Sequence, residues 1–284
     1  MRLTCIVDNC VERGSALWGE HGLSFLIQTE VGSDPAPNVL WDTGQSGHVL
    51  LHNLKALDLE DVPLEAVALS HAHYDHTGGL STILWRYPGL PVYAHPAIFT
   101  PRFSRRNGRL RPIGIASQHQ ELEARADLRL SAEPAEIVPG VWTTGGIVER
   151  PFALGRSRHL AMRKQGQIVT DEYLDDMAIV LEVGDGIVLL LGCCHAGLCN
   201  TLLSIRRWNT APLVAIVGGT HLAGSSADEI QVVVEAIREE GRPRLYLNHC
   251  TGERAIWALY QTFGNRVAPC PAGTILQFDN KEKP

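Results

Sequence analysis

No stretch of this sequence approaches the roughly 18 apolar residues that a membrane-spanning helix needs. Its opening, Met1-Arg2-Leu3-Thr4-Cys5, enters strand-like sequence without a signal-peptide pattern, so a cytoplasmic protein is expected. Basic charge is not in excess either: the formal net charge is −6 and the pI about 6.0. That argues against general binding to nucleic acid or a membrane surface, where affinity rests on neutralising phosphates with Lys and Arg. Any anion site must be local. CxxC pairs are absent and the 7 cysteines are an odd number, which a reducing compartment would keep as thiols. Cys5, Cys10 and Cys270 read as apolar filler. Cys193 and Cys194 flank His195 and stand between that role, as small buried residues at a strand end, and a part in a site. No low-complexity segment or short repeat occurs.

What is present is enough apolar material, 45% of 284 residues, for one large core, so a single domain over 1–284 is expected. Short apolar or alternating runs predict strands over Leu3 to Asp8, Leu23 to Thr29, Val39 to Asp42, Glu65 to Leu69 and Pro91 to His95, with helical sequence sparse in this half. The pattern fails from Pro96 to Gly114, which reads as a loop or flap. Beyond it, strands are expected near Glu136 to Val141, Ala178 to Val183 and Ile187 to Leu191, the last two joined by an Asp-Gly turn. Helices (about Leu198 to Trp208, Ala227 to Glu240, Glu253 to Phe263) then alternate with strands (Leu213 to Val217, Arg244 to Asn248). Ser226-Ala227-Asp228-Glu229 has the form of a capping box.

The chemistry concentrates in Ser70-His71-Ala72-His73-Tyr74-Asp75-His76-Thr77-Gly78-Gly79, directly after the apolar run 65–69. His71 and His73 are two apart on an extended chain and so point the same way. Asp75 and His76 fall where the chain turns, approach from another side, and can serve a second ion. Imidazole and carboxylate together suit zinc, manganese or iron. The alternative is four polar residues on a solvated turn.

His-X-His-X-Asp-His resembles the signature of the metallo-β-lactamase superfamily, and Asp42-Thr43-Gly44 resembles its upstream Asp motif. Val7-Asp8-Asn9, Glu20-His21-Gly22-Leu23-Ser24, Asp175-Asp176-Met177-Ala178, Gly192-Cys193-Cys194-His195-Ala196-Gly197, Gly218-Gly219-Thr220-His221-Leu222 and His249-Cys250-Thr251-Gly252 look like the branch named for archaeal dihydropterin–ribofuranosylaminobenzene-phosphate synthase. The resemblance implies an α/β fold, the four-layer αββα sandwich. It also implies that the remaining ligands stand at strand ends of the second half, where His195, His221 and His249 occur. His249 looks like the last ligand of the superfamily. His195 is taken as another, in a segment where many members carry Gly-Asp, whose carboxylate bridges two ions. No histidine precedes the hairpin where one is often found, and Asp175 or Asp176 could supply the missing carboxylate. His221 is placed beside the metals as a general acid, with a plain structural role as the alternative, and Asp75 is taken as catalytic as well as a ligand. Asp42 would support the histidine loop from behind, and His21 and Asn9 would line the pocket.

The implied cofactor is zinc, as one firmly and one weakly held ion, with manganese, magnesium or iron as other divalent possibilities. The leading activity is a metal-dependent hydrolase using an ion-activated water on an ester or phosphoester. The alternatives are a synthase-type transferase releasing diphosphate and a metal-containing binding or sensor protein without turnover. The expected partner is an anionic small molecule, because Arg102, Arg105, Arg106, Arg109 and Arg111 crowd together with no acid among them; Arg105 and Arg106 are expected to contact the substrate. Otherwise these arginines would form a solvated flap meeting carboxylates such as Glu121 and Glu123.

Overall fold

A computed structural model describes residues 1–29, 36–117, 119–155, 157 and 159–279. Among them are two seven-stranded sheets and one four-stranded sheet. The N-terminal sheet runs, edge to edge, Ile275–Gln277, Arg2–Val7, Ser24–Gln28, Asn38–Trp41, Ala66–Ala68, Pro91–Ala94 and Asp127–Leu130. The C-terminal sheet runs Val267–Pro269, Arg244–Leu247, Leu213–Gly218, Gly186–Leu191, Ala178–Val183, Val141–Thr143 and Ala135–Val138.

Alternation along the strands sorts the side chains into layers. Leu3, Phe25, Val39 and Trp41 meet Ile179, Leu181, Val188, Leu190 and Val217 between the sheets. The opposite face of the first sheet, with Leu26, Leu40, Val67 and Val92, packs on Leu50, Leu54, Leu80 and Ile83 of helices Gly47–Ala56 and Leu80–Arg86. Val180, Leu189, Ile216 and Leu245 of the second sheet pack outward on Leu202, Val233, Ile237 and Leu259 of helices Leu198–Ile205, Ala227–Glu239 and Glu253–Phe263. The result is the α/β four-layer αββα sandwich. No helix among the described residues is long and apolar enough to cross a membrane.

Several expectations need correction. The first half holds more helix than its pattern suggests. Helix Gly47–Ala56, capped by the Ser46 hydroxyl accepting the Val49 N–H, hides behind a polar core residue: buried Asn53 donates to the Ile6 and Trp18 carbonyls and accepts the Trp18 N–H. The strand expected at Glu136 to Val141 is two strands, Ala135–Val138 and Val141–Thr143. Most important for function, 96–114 is a 3-10 turn followed by a β-hairpin, not a loop. Arg102–Arg106 pairs with Arg109–Pro112 through Asn107-Gly108, both left-handed at φ 49° and 73°, the conformation a two-residue type I′ turn requires. This hairpin joins Leu160–Lys164 and Gln167–Thr170 as the four-stranded sheet.

Nor is the arginine charge wholly unrelieved. Arg102 is buried, its Nε donating to Asp171 at 2.9 Å and its Nη2 to Asp175 at 2.5 Å. The other oxygen of Asp175 accepts the amide of Ala72, between His71 and His73, at 2.8 Å. Burial raises both carboxyls, Asp175 to about 7, so each depends on the guanidinium opposite. Arg102→Met should therefore destabilise the protein by about 3–5 kcal/mol, the cost of stranding one side of a buried pair. Urea unfolding checks this; a midpoint equal to the parent's contradicts it.

Candidate metal centre

Strands Asn38–Trp41, Ala66–Ala68, Gly186–Leu191, Leu213–Gly218 and Arg244–Leu247 lie in runs of parallel neighbours. Parallel strands present their carboxyl ends at one edge, and the residues that follow them are Asp42, His71 to His76, Cys193 to His195, His221 and His249. After Ala66–Ala68 the chain passes through His71 and His73, then enters the one-turn helix Tyr74–Thr77, which brings Asp75 and His76 in from a different direction. Gly78 and Gly79 let this turn lie on the Asp42 loop: a Cβ would stand 2.0 Å from the Gln45 carbonyl oxygen at one and 2.3 Å from that of Thr43 at the other. Thr43 then donates its N–H and hydroxyl to the His76 carbonyl at 2.7 and 3.0 Å.

Among the described residues three groups of ligand atoms result, two of them built on the 71–76 residues and a third, Cys193, His221 and Cys250, that shares its Cys193 with one of those two. Of the two, His71, His73 and His195 form one; Asp75, His76, Cys193 and His249 form the other, the atoms of each lying within 4.8 Å of one another. In the first, His71 Nε2 is 3.0 Å from His73 Nδ1, and the His195 ring centroid is 4.8 Å from both rings. In the second, His76 Nε2 is 3.2 Å from both His249 Nε2 and the Cys193 sulfur, and the Asp75 carboxylate is 3.6 Å from His76 Nε2 and 3.5 Å from His249 Nε2.

These groups fit divalent cations, on an observation internal to the structure. The outward nitrogens are occupied: His76 Nδ1 by Asp42 at 2.6 Å, His71 Nδ1 by the Ser70 hydroxyl at 2.8 Å, and His249 Nδ1 by the Asn9 side-chain oxygen at 2.9 Å. The inward nitrogens face one another, and neither ring nitrogen of buried His195 has a partner. Burial holds His71 and His195 well below the ordinary imidazole range and His73 at about 3, so these rings are neutral and carry free lone pairs. Burial would also lower His76, but the charges of Asp42 and then Asp75 prevail and raise it to about 9. An ion bound there would take the place of a proton. Burial would raise the Asp75 carboxyl, yet His76 and His249 pull it well below the carboxylate range.

The structure redistributes the other candidates. Asp42 stands behind His76 and also accepts the Ser70 amide and hydroxyl, both at 2.7 Å. Asn9 does not line the pocket; it fixes His249. His21 does line it, 3.3 Å from Asp75 and stacked at 5.3 Å on His249. His221 belongs to neither histidine group but to the third, with Cys193 and Cys250; its ring is 4.2 Å from the His195 ring and its Nε2 2.9 Å from the Ser157 hydroxyl. Neither Asp175 nor Asp176 belongs to a ligand group: Asp175 is taken by Arg102 and the Ala72 amide, and Asp176 accepts the Ala196 amide at 2.7 Å. The remaining donor of the second group is instead Cys193, whose thiol burial pushes well above its ordinary range, so that it would become a thiolate only beside a cation, while Cys194, left-handed at φ 61°, turns into the helix-covered core. A thiol at a strand end looks alike in sequence whether it fills space or binds metal; the neighbouring Gly192 and His195 were the available signal. Arg105 is placed on the face of the hairpin away from the cavity, which Arg106, Arg109 and Arg111 line.

Cobalt-loaded protein should show a thiolate-to-cobalt charge-transfer band, lost in Cys193→Ser and kept in Cys194→Ser. The same band in both variants would remove Cys193 from the ligand set.

Comparison with known proteins agrees with this fold. A family model described as the metallo-beta-lactamase superfamily matches residues 17–157. The 7,8-dihydropterin-6-methyl-4-(beta-D-ribofuranosyl)-aminobenzene-5'-phosphate synthase of Methanocaldococcus jannaschii is 27% identical over 98% of this chain and 97% of its own. The crystal structure of Tm1679, a metal-dependent hydrolase of the beta-lactamase superfamily, superposes with a TM-score of 0.83 at 28% identity, covering 99% of this chain and 100% of that one. Zn(2+)-bound PqqB from Methylobacterium extorquens, 14% identical with a TM-score of 0.56 over 98% of this chain and 100% of its own, shares the fold. With the family-model match, the near full-length relation to the archaeal protein and the four-layer fold all in agreement, this chain belongs to the metallo-β-lactamase superfamily.

Proposed function

We propose that the protein is a zinc-dependent hydrolase that cleaves an ester or phosphoester in a small phosphorylated molecule. The observation that carries this reading is one face of the arginine hairpin. Ser104 pairs with Arg111 and Arg106 with Arg109, so all four side chains share a face, and all four line a cavity of about 420 Å³ with Asp75, His221 and His249 on its other walls. Asp75 is the only carboxylate among the described lining residues, so three guanidinium groups give this cavity a positive wall in a chain of net charge −6. Guanidinium offers phosphate a planar fork of donors.

His71, His73 and His195, and Asp75, His76, Cys193 and His249, would hold divalent ions, which when bound would supply Lewis acidity and lower the pKa of water toward 7. The chain does the rest. Arg106, Arg109 and Arg111 bind the phosphate and set the reacting bond against the ligand groups; Arg111 is itself steadied 5.6 Å over the Tyr74 ring. Asp42, Ser70 and Asn9 keep the liganding rings from rotating. His221, held at Nε2 by the Ser157 hydroxyl, lines the cavity and is the residue placed to carry a proton to the leaving group.

A second reading, a transferase releasing diphosphate, is favoured by the near full-length relation to the archaeal synthase, and the arginine face suits a diphosphate leaving group equally well. Diphosphate release without uptake of labelled oxygen from water would select it. Failure to turn over any ester, phosphoester, lactone or thioester with fully metallated protein would select a binding or sensor role.

In Arg106→Ala/Arg109→Ala, kcat/KM for a phosphorylated substrate should fall roughly 10- to 100-fold or more, mostly through KM, with a neutral ester little changed. Equal losses on both substrates would refute the anion face. In the same assay His221→Ala should lose roughly 10²-fold with poor leaving groups and much less with nitrophenolate, at unchanged metal content; equal losses would assign it a structural role.

A further inference from the structure

The cavity wall holds a thiol that hydrolysis does not use. Cys250 follows His249, and its sulfur, the Cys193 sulfur and a His221 ring nitrogen lie within 4.8 Å of one another. The Cys250 thiol is held in place: it donates to the Cys193 carbonyl at 3.4 Å and accepts the His221 amide at 3.3 Å. It also rests on bare backbone, since a Cβ at Gly219 would come within 2.7 Å of the sulfur. Both cysteines line the cavity, with Cys250 only half-buried, so a small polar oxidant entering by the substrate route meets Cys250. By contrast Cys5 and Cys270 have 0% exposure in the core between the sheets, with no opening to that cavity.

We propose that Cys193 and Cys250 are a modification site: a hydroperoxide converts them to a disulfide, and the disulfide withdraws Cys193 from its ligand group. The Cys250 sulfur attacks the hydroperoxide, the O–O bond breaks, and the alcohol or water leaves as a sulfenic acid forms. The Cys193 sulfur then attacks that sulfur and expels water, joining the two residues. Two thiols are oxidised by two electrons in total, one hydroperoxide is reduced, and the thiol protons leave in the alcohol or water and the second water. Side-chain rotation must bring the sulfurs from within 4.8 Å to the bonding distance of about 2.05 Å. A disulfide sulfur is no longer a thiolate and cannot hold an ion, so oxidation and metal binding at the Asp75 group exclude each other.

The inference rests on the place of Cys193 in that group, and the test separates the two. Metal-free and zinc-loaded full-length protein are treated with hydrogen peroxide, then free thiols are counted in denaturant, crosslinked peptides are mapped by mass spectrometry, and bound zinc is measured. Expected are the loss of two thiols of the 7, a Cys193–Cys250 peptide pair that dithiothreitol releases, one fewer zinc ion retained, and slower oxidation of the zinc-loaded protein. Cys250→Ser should give no such pair. A Cys5–Cys270 pair alone, or Cys193 and Cys250 recovered as separate sulfinic acids, would overturn the disulfide. A Cys193–Cys250 pair that forms equally fast with zinc bound and leaves zinc content unchanged would overturn the link to metal binding instead.

Discussion

Buried imidazole nitrogens turned toward one another, those of His195 with no partner at all, are the constraint on which this structure turns. His71, His73 and His195 are buried neutral and face one another, and His76, His249 and Cys193 surround the Asp75 carboxylate. Such an arrangement is costly in a low-dielectric interior unless cations occupy it. The backbone also carries strain here: Asp42, Cys194, His221 and His249, all non-glycine, are left-handed at φ 56°, 61°, 52° and 52°. Residues of this kind persist where the surroundings over-determine them, and the surroundings are the carboxyl ends of parallel strands from two sheets packed face to face.

The same economy ties the substrate side to the metal side. Arg102 begins the hairpin that carries Arg106, Arg109 and Arg111, and through Asp175 it reaches the amide of Ala72 in the histidine loop. One buried cation therefore fixes the distance between the anion-binding face and the ligand groups, while alternation along the hairpin turns Ser104 and Arg106 inward and leaves Arg105 outside. A cluster of five arginines thus divides into a structural member, three cavity members and one surface member.

Much of this was legible in the sequence, for reasons that vary by residue. Most strands of the two seven-stranded sheets announced themselves as apolar runs because both faces of those sheets are covered, and the 71–76 motif stood out because so many donors in so few residues have little structural use. Asn53 masked a helix by putting an amide where the period required an apolar residue. The arginines masked a hairpin whose Asn107-Gly108 turn was a readable signal. The role of Asn9 could not be read from its neighbours, since its partner His249 lies 240 residues away. Cys193 was ambiguous because burial and ligation favour the same small polarisable side chain.

If the His71, His73 and His195 group and the Asp75, His76, Cys193 and His249 group each hold a divalent ion, calorimetric titration of metal-free protein with zinc will count them. The parent should bind two ions per chain with distinct affinities. Asp75→Ala should bind one, at the His71, His73 and His195 group, while remaining folded. Two ions bound by Asp75→Ala, or a single ion bound by the parent, would contradict that reading.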